Sequence, residues 1–397
     1  MIFIAIFHGE CYNLEKQLLR GILMELTSDM LQYIDTHANE AFQLLVDLAQ
    51  IPAPSNQEER RAEFCLNWLR SKGAENAYID EALNVVYPIG DTGANELMVF
   101  MAHSDVVFPD TTPLPLKIEN GRIYCPGVGD DTANAVALLT VAGYLAERKI
   151  SPKNCGVLLV INSGEEGLGN LKGSRKIMED FGSRVKEFIT FDGNANVVVV
   201  KAVGSRRYRV TVTTEGGHSY AKFGAPNAIA QLSQLIARLY EVKVPDIGRT
   251  TYNVGTISGG TSVNTIAQNA EMLFEFRSDE REGLSIMQTH FDRIVEEFRS
   301  NGVEISVEVV GDRPCGLDVD NSRLAGRAAE AVRAHYGFEP QYGCGSTDCN
   351  IPLSMGIPAI CPGCILGAGA HTREEYVEID SLLPGLKVAA QLVLHHF

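Results

Sequence analysis

Several short, almost wholly apolar runs in this chain each lead into an ionisable residue. Leu97–Ala102 reads LMVFMA and is followed by His103. Gly156–Asn162 reads GVLLVIN and runs through Ser163-Gly164 into Glu165-Glu166. Phe188–Phe191 reads FITF and meets Asp192. A strand that is apolar on both sides must be covered on both sides. Such strands belong inside a largely parallel sheet with helices over each face, so an α/β domain is expected. The covering helices are visible between the runs. Ser55-Asn-Gln-Glu58 has the S-x-x-E form of a capping box and is expected to open a helix through about Arg70. Thr132–Leu145 is rich in Ala and Leu, Gly356–Cys361 reads as a further strand, and Asp380 is expected to cap a last helix. Ligands of open sheets bind beyond the carboxyl ends of the strands. The ionisable residues at those ends are therefore the first candidates for a site.

The middle of the chain has another rhythm. Arg207–Thr214 and Val303–Val310 alternate like half-exposed strands, and Tyr252–Ser258 and Glu271–Phe276 also read as strands. Ala228–Val242 and Gly283–Arg299 have helical spacing. The order βαββαβ is that of a small ferredoxin-like α+β unit. The expected organisation is an α/β domain in two pieces, residues 1–204 and 313–397, with residues 205–312 inserted between them.

Charge excludes some functions. With 34 Lys+Arg against 50 Asp+Glu the formal net charge is −16, which argues against a nucleic-acid partner that needs clustered cations. No apolar run approaches the roughly 20 residues that cross a bilayer, so no membrane partner is expected. Nine irregularly spaced cysteines argue against a disulfide framework and fit a cytoplasmic protein. Cys361-Pro-Gly-Cys364 stands alone and reads as two small buried residues at a strand end. The opening MIFIAIFHGE lacks the basic flank and cleavage pattern of a secretory signal, and translation is expected to start downstream, at Met24 or Met30. No G-x-S-x-G, H-E-x-x-H or dinucleotide-binding glycine spacing occurs.

Five polar clusters remain: His103-Ser-Asp105, Gly129-Asp130-Asp131, Gly164-Glu165-Glu166-Gly167, Asp192-Gly193 and Ala370-His371-Thr372. Neutral imidazoles with carboxylates suit zinc, with manganese or cobalt as alternatives. Each cluster alone is weak, since a lone histidine at a strand end or a paired acid in a turn is usually structural. Five in succession, after buried-strand patterns, are not readily a coincidence.

The stretches MVFMAHSDVV, GVGDDTANAVALL, INSGEEGLG, FDGN, GGHS and GAGAH resemble those of the M20 family of co-catalytic metallopeptidases and amidohydrolases, over nearly the whole chain after about residue 35. The resemblance implies two divalent metal ions. Asp130 would bridge them, His103 and Asp192 would complete one site, and Glu166 and His371 the other. Asp105 would orient the His103 ring, and Glu165 would be the general base. It also implies a cis peptide between Asp130 and Asp131. The inserted unit would be a lid and dimerisation domain, with a homodimer formed through it. There His218 would donate to the oxyanion, and Asn264 and Arg277 would hold the substrate; Ser346 would line the pocket. For Arg277, a salt bridge on the lid sheet is the other reading. Two departures stand out: Thr132 and Ala133 occupy positions where relatives commonly have Lys and Gly. Asp192 looks like the tripeptidase and dipeptidase branch, because carboxypeptidase and deacetylase relatives usually carry Glu there. The resemblance thus implies an exopeptidase of the tripeptidase or aminopeptidase type acting on small peptides. A dipeptidase, or a deacylase of N-acyl amino acids, is the alternative with the same chemistry. A non-catalytic metal-binding protein is disfavoured by Glu165 standing beside the full ligand set.

Overall fold

The computed structural model describes residues 25–93 and 95–397. The expectations for residues 1–24 lie outside them. The chain forms two compact units, one made of the residues up to Ala202 together with Leu317–Phe397, the other of Val203–Gly316.

The first unit begins with helices α1 (Ser28–Ala49) and α2 (Glu59–Ser71), then strands β1 (Tyr78–Ile79), β2 (Val85–Gly90), β3 (Leu97–His103), β4 (Lys117–Glu119) and β5 (Arg122–Tyr124). Helix α3 (Ala133–Arg148), β6 (Gly156–Asn162), α4 (Lys172–Phe181), β7 (Val185–Thr190) and β8 (Val197–Ala202) follow. The second unit contains β9 (Gly204–Thr213), β10 (Gly217–His218), α5 (Ala228–Tyr240), β11 (Thr250–Gly259), β12 (Thr265–Ile266), β13 (Asn269–Ser278), α6 (Arg281–Ser300) and β14 (Glu304–Arg313). The chain then returns to the first unit with α7 (Ser322–Tyr336), β15 (Gln341–Gly345), α8 (Asn350–Ser354), β16 (Ala359–Pro362), β17 (Gly367–Ala368), β18 (Tyr376–Glu378) and α9 (Ile379–Val393).

Among the described residues the main sheet of the first unit has eight strands in the order β1-β2-β6-β3-β7-β16-β8-β15. Its centre, β6-β3-β7-β16, is parallel throughout, while β2 and β8 join that centre antiparallel. Strand β3 shows why both faces are apolar. Met98, Phe100 and Ala102 enter one core, with α1, α3 and α9. Leu97, Val99 and Met101 enter the other, with α4 and α8. Helix α3 is buried from Ala133 to Ala146, so its Ala/Leu composition suits a helix with no wet face. Parallel pairing sets His103 opposite Asn162, and Met101 opposite Thr190, which brings the carboxyl ends of β3, β6 and β7 level.

Three local expectations are corrected. Ser55 does not cap α2: Glu58 holds the N-cap position without a side-chain cap bond. Asp380 lies in the first turn of α9, and Glu378 precedes the helix. The strand expected from Gly356 begins only at Ala359, since Gly356 has φ 79° and follows the end of α8. The eight described cysteines, Cys361 and Cys364 among them, are free and buried.

In the second unit the four long strands pair antiparallel in the order β11-β13-β9-β14, the ferredoxin-like arrangement. Alternation decides its faces. Tyr208, Val210, Val212, Met272, Phe274 and Phe276 pack with the apolar sides of α5 and α6. The intervening residues form a charged face where Arg207 meets Glu275.

Candidate metal centre

Four of the five clusters converge on one buried centre through the level strand ends and the turn entering α3. His103 ends β3, Glu165 and Glu166 follow β6, Asp192 follows β7, and Asp130 lies in the turn before Ala133. The fifth, His371, arrives on the loop between β17 and β18. Donor atoms of His103, Asp130 and Asp192 lie within 4.8 Å of one another, and so do those of Asp130, Glu166 and His371. Asp130 belongs to both sets: His103 Nε2 is 3.1 Å from its Oδ1, and His371 Nε2 is 3.1 Å from its Oδ2. A third set, His103, Glu165 and Glu166, satisfies the same limit. The Asp130–Asp131 peptide is cis.

Charge has been collected here at the expense of solvation. Asp192 Oδ1 is buried and accepts no hydrogen bond, and buried Asp130 Oδ2 faces only the His371 ring, 3.1 Å away. Burial, then the charge of Asp130, pushes the Asp192 carboxyl well up. Hydrogen bonding of its Nε2–H to the Asp130 and Glu166 carboxylates holds the His371 imidazolium up to about 10. Burial works against a charged His103, but Asp131, Asp105 and Asp130 together hold it well above its ordinary value. Buried, orphaned carboxylate oxygens beside imidazole nitrogens have one common remedy, a divalent cation. The donor set therefore fits two such ions sharing Asp130.

The supporting contacts explain why the loops sit where they do. Asp105 is fully buried and lies against the Nδ1 side of His103, with Oδ1 3.5 Å from that nitrogen. Its oxygens also accept the backbone N–H groups of Glu165 and Glu166, each at 3.0 Å. Ser55 Oγ donates to Asp105 Oδ2 at 2.7 Å and to the Glu166 carbonyl at 3.2 Å. That tertiary partner is what draws Ser55 away from the helix cap. Glu58, the other half of the expected capping box, accepts from Asn56 N and pairs with Lys172 at 2.9 Å. Losing a hydrogen bond to a buried charge costs about 1.5–3 kcal/mol. Ser55→Ala should therefore destabilise the folded protein by about 1.5–3 kcal/mol, and an unchanged denaturation midpoint would refute the role.

Arg61 and Glu375 carry no local signal that marks them as site residues. Arg61 is fully buried and donates to the Ile51 and Ser104 carbonyls and to Thr132 Oγ1. Burial pulls its guanidinium down to about 10. Thr132 donates in turn to the Gly127 carbonyl. Glu375 is buried and accepts three backbone N–H groups from residues 127–130. Burial, then the Asp130 charge, pushes it up to about 8 against those donors. The pairings span tens to hundreds of residues, so no local pattern could announce them.

Of the other expected residues, Ser346 lies half-buried after β15 in the first unit. His218, Asn264 and Arg277 lie in the second. The β10–β12 ribbon brings the first two together: Ser219 N donates to the Asn264 carbonyl at 2.9 Å. His218 is exposed, and its Nδ1 accepts from the N–H groups of Tyr220 and Ala221 at 3.2 and 3.4 Å. A ring accepting at Nδ1 carries its proton on Nε2, which leaves an outward donor. Arg277 makes a two-pronged contact with Glu275 at 3.0 and 3.1 Å, the salt bridge on the sheet that its residue type allowed.

An open α/β sheet with a histidine–carboxylate centre at its strand ends is the framework of a metal-dependent hydrolase. The model of the peptidase family M20/M25/M40 matches residues 99–395, and the chain belongs to that family. It is similar to succinyl-diaminopimelate desuccinylase of Corynebacterium glutamicum, 24% identical over 347 residues, covering 84% of this chain and 91% of the relative. It is also similar to acetylornithine deacetylase of Myxococcus xanthus, 26% identical over 348 residues, with 82% and 87% covered. Among solved structures, a tripeptidase of Staphylococcus aureus superposes with a TM-score of 0.71 at 22% identity, covering 90% of this chain and 98% of that one. Among the described residues no helix is long and apolar enough to cross a membrane.

Proposed function

We propose that the protein is an exopeptidase of the tripeptidase or aminopeptidase type, hydrolysing small peptides with two divalent ions, zinc in the first instance. The observation that carries this reading is Glu165. A donor atom of Glu165 lies within 4.8 Å of donors of His103 and Glu166, yet each of the two sets that share Asp130 has three donors without it. A carboxylate beside a finished ligand set is suited to move a proton. His103, Asp130 and Asp192 would hold one ion, and Asp130, Glu166 and His371 the other. Bound ions would polarise the scissile carbonyl and make water a stronger acid.

Glu165 takes a proton from the attacking water as its oxygen bonds to the carbonyl carbon. It delivers that proton to the leaving amine as the C–N bond breaks. Asp105 holds the His103 ring and the Glu165 backbone in place through both steps. His218, protonated on Nε2, donates to the developing oxyanion. Asn264 and Arg277 hold the substrate backbone or carboxylate, with Arg277 exchanging Glu275 for it, and Ser346 lines the pocket. The second unit serves as lid and dimerisation domain, and the protein works as a cytoplasmic homodimer.

The likeness to a desuccinylase and a deacetylase favours one second reading, hydrolysis of an N-acyl amino acid by the same residues. Asp192 in its Phe-Asp-Gly setting supports the peptide reading. Metal-loaded protein offered tripeptides and N-acetyl amino acids, with products separated by liquid chromatography, distinguishes the two. Release of one residue from tripeptides is expected, and turnover of the acyl amino acids alone overturns the assignment.

A further inference from the structure

The turn that delivers Asp130 is held by a single carboxylate. Glu375 is 2% exposed, its Oε2 accepts from Gly127 N at 2.8 Å, and its Oε1 accepts from Gly129 N and Asp130 N at 2.7 and 2.8 Å. Gly129 makes room for this, since a Cβ there would sit 3.2 Å from Oε1 and 3.2 Å from Val377 Cγ2. The backbone of Glu375 is fixed as well, its carbonyl accepting from Cys125 N at 3.2 Å. Four residues earlier the same loop carries His371, whose Nε2 lies 3.1 Å from Asp130 Oδ2 and 2.9 Å from Glu166 Oε1. One short stretch of chain therefore carries one donor of the Asp130–Glu166–His371 set and grips the backbone of another.

We infer that Glu375 is a positioning residue for the metal pair: it fixes Asp130 relative to His371 and so sets the affinity of the cation those two residues share. The inference rests on the proposed metal-binding reading. The chemistry calls for a carboxyl group. Its two oxygens can take three N–H donors, whereas the amide of glutamine would turn an NH2 donor against at least one of them. Partners that orient a metal ligand typically change affinity by ten- to a hundredfold when removed.

The test is a titration of the metal-free full-length protein with Co²⁺, followed by visible absorption and by calorimetry, for the wild type, Glu375→Gln and Glu375→Asp. Wild type should bind two ions. Glu375→Gln should bind at least one of them ten- to a hundredfold more weakly. At saturating metal it should recover kcat to within a few-fold, with KM unchanged. Glu375→Asp keeps the acceptor chemistry on a shorter arm and should fall between the two. Should the glutamine variant fail to fold, the aspartate variant decides: weakened Co²⁺ affinity supports the inference, and wild-type affinity overturns it. A variant that melts at lower temperature but binds both ions with wild-type affinity also overturns it, because Glu375 would then serve folding alone. A wild type that binds no Co²⁺ removes the metal-binding reading and this inference with it.

Discussion

Glu165→Ala should lower kcat by at least about 10³-fold while leaving two bound ions in place. A positioned general acid–base group contributes typically about 10²–10⁴-fold, and Glu165 is assigned both halves of the proton transfer. Retention of metal is the sharper half of the expectation. The sets His103–Asp130–Asp192 and Asp130–Glu166–His371 do not include Glu165, although a third, with His103 and Glu166, does. Elemental analysis of the purified variant therefore discriminates between a base and a ligand. Activity near that of wild type refutes the base. Loss of one ion together with activity makes Glu165 a ligand instead.

Asp130→Ala should be more damaging still, because Asp130 is the one residue common to both sets. Both ions should be lost at micromolar metal, activity should become undetectable, and excess zinc, cobalt or manganese should not restore it. Chelator-treated wild type provides the contrast, since re-addition of metal should restore its turnover. The pH dependence has a definite sign. In the metal-free protein Asp130 and Glu166 hold His371 up to about 10, so at pH 8 the ring carries its proton. A histidine ligand must be neutral, so binding expels that proton, and affinity should rise as pH is raised from 6 towards 10. Calorimetry at pH 8 in buffers of different ionisation enthalpy measures the release. Zero proton release would contradict the assignment of His371 as a ligand.

The buried strands are legible in the sequence because they are apolar on both faces and stop at a polar residue. Leu97–His103 and Gly156–Asn162 need no tertiary information to be recognised. The ferredoxin-like unit is legible for the opposite reason, since each of its strands alternates. Where the local pattern misleads, a tertiary or backbone constraint overrides it. Ser55 and Glu58 carry a local signal for a helix cap, but Asp105 and Lys172 offer stronger, distant partners. At Gly356 the apolar run is real, but a positive φ delays the strand. Arg61 and Glu375 are invisible because most of their partners are backbone atoms, and none lies in a local helix or strand pattern. Arg277 is different: Glu275 lies two residues away on the same face, so the pairing follows from strand geometry.

The shared use of Asp105 has an evolutionary corollary. One residue steadies a histidine at the end of β3, its carbonyl 3.1 Å and its carboxylate 3.5 Å from Nδ1, and that carboxylate also holds the backbone of two glutamates after β6. A change at position 105 would be felt in both loops at once, so no single neighbouring substitution could make it good. Positions 55 and 105, joined by the Ser55 Oγ–Asp105 Oδ2 hydrogen bond, should therefore change together or not at all.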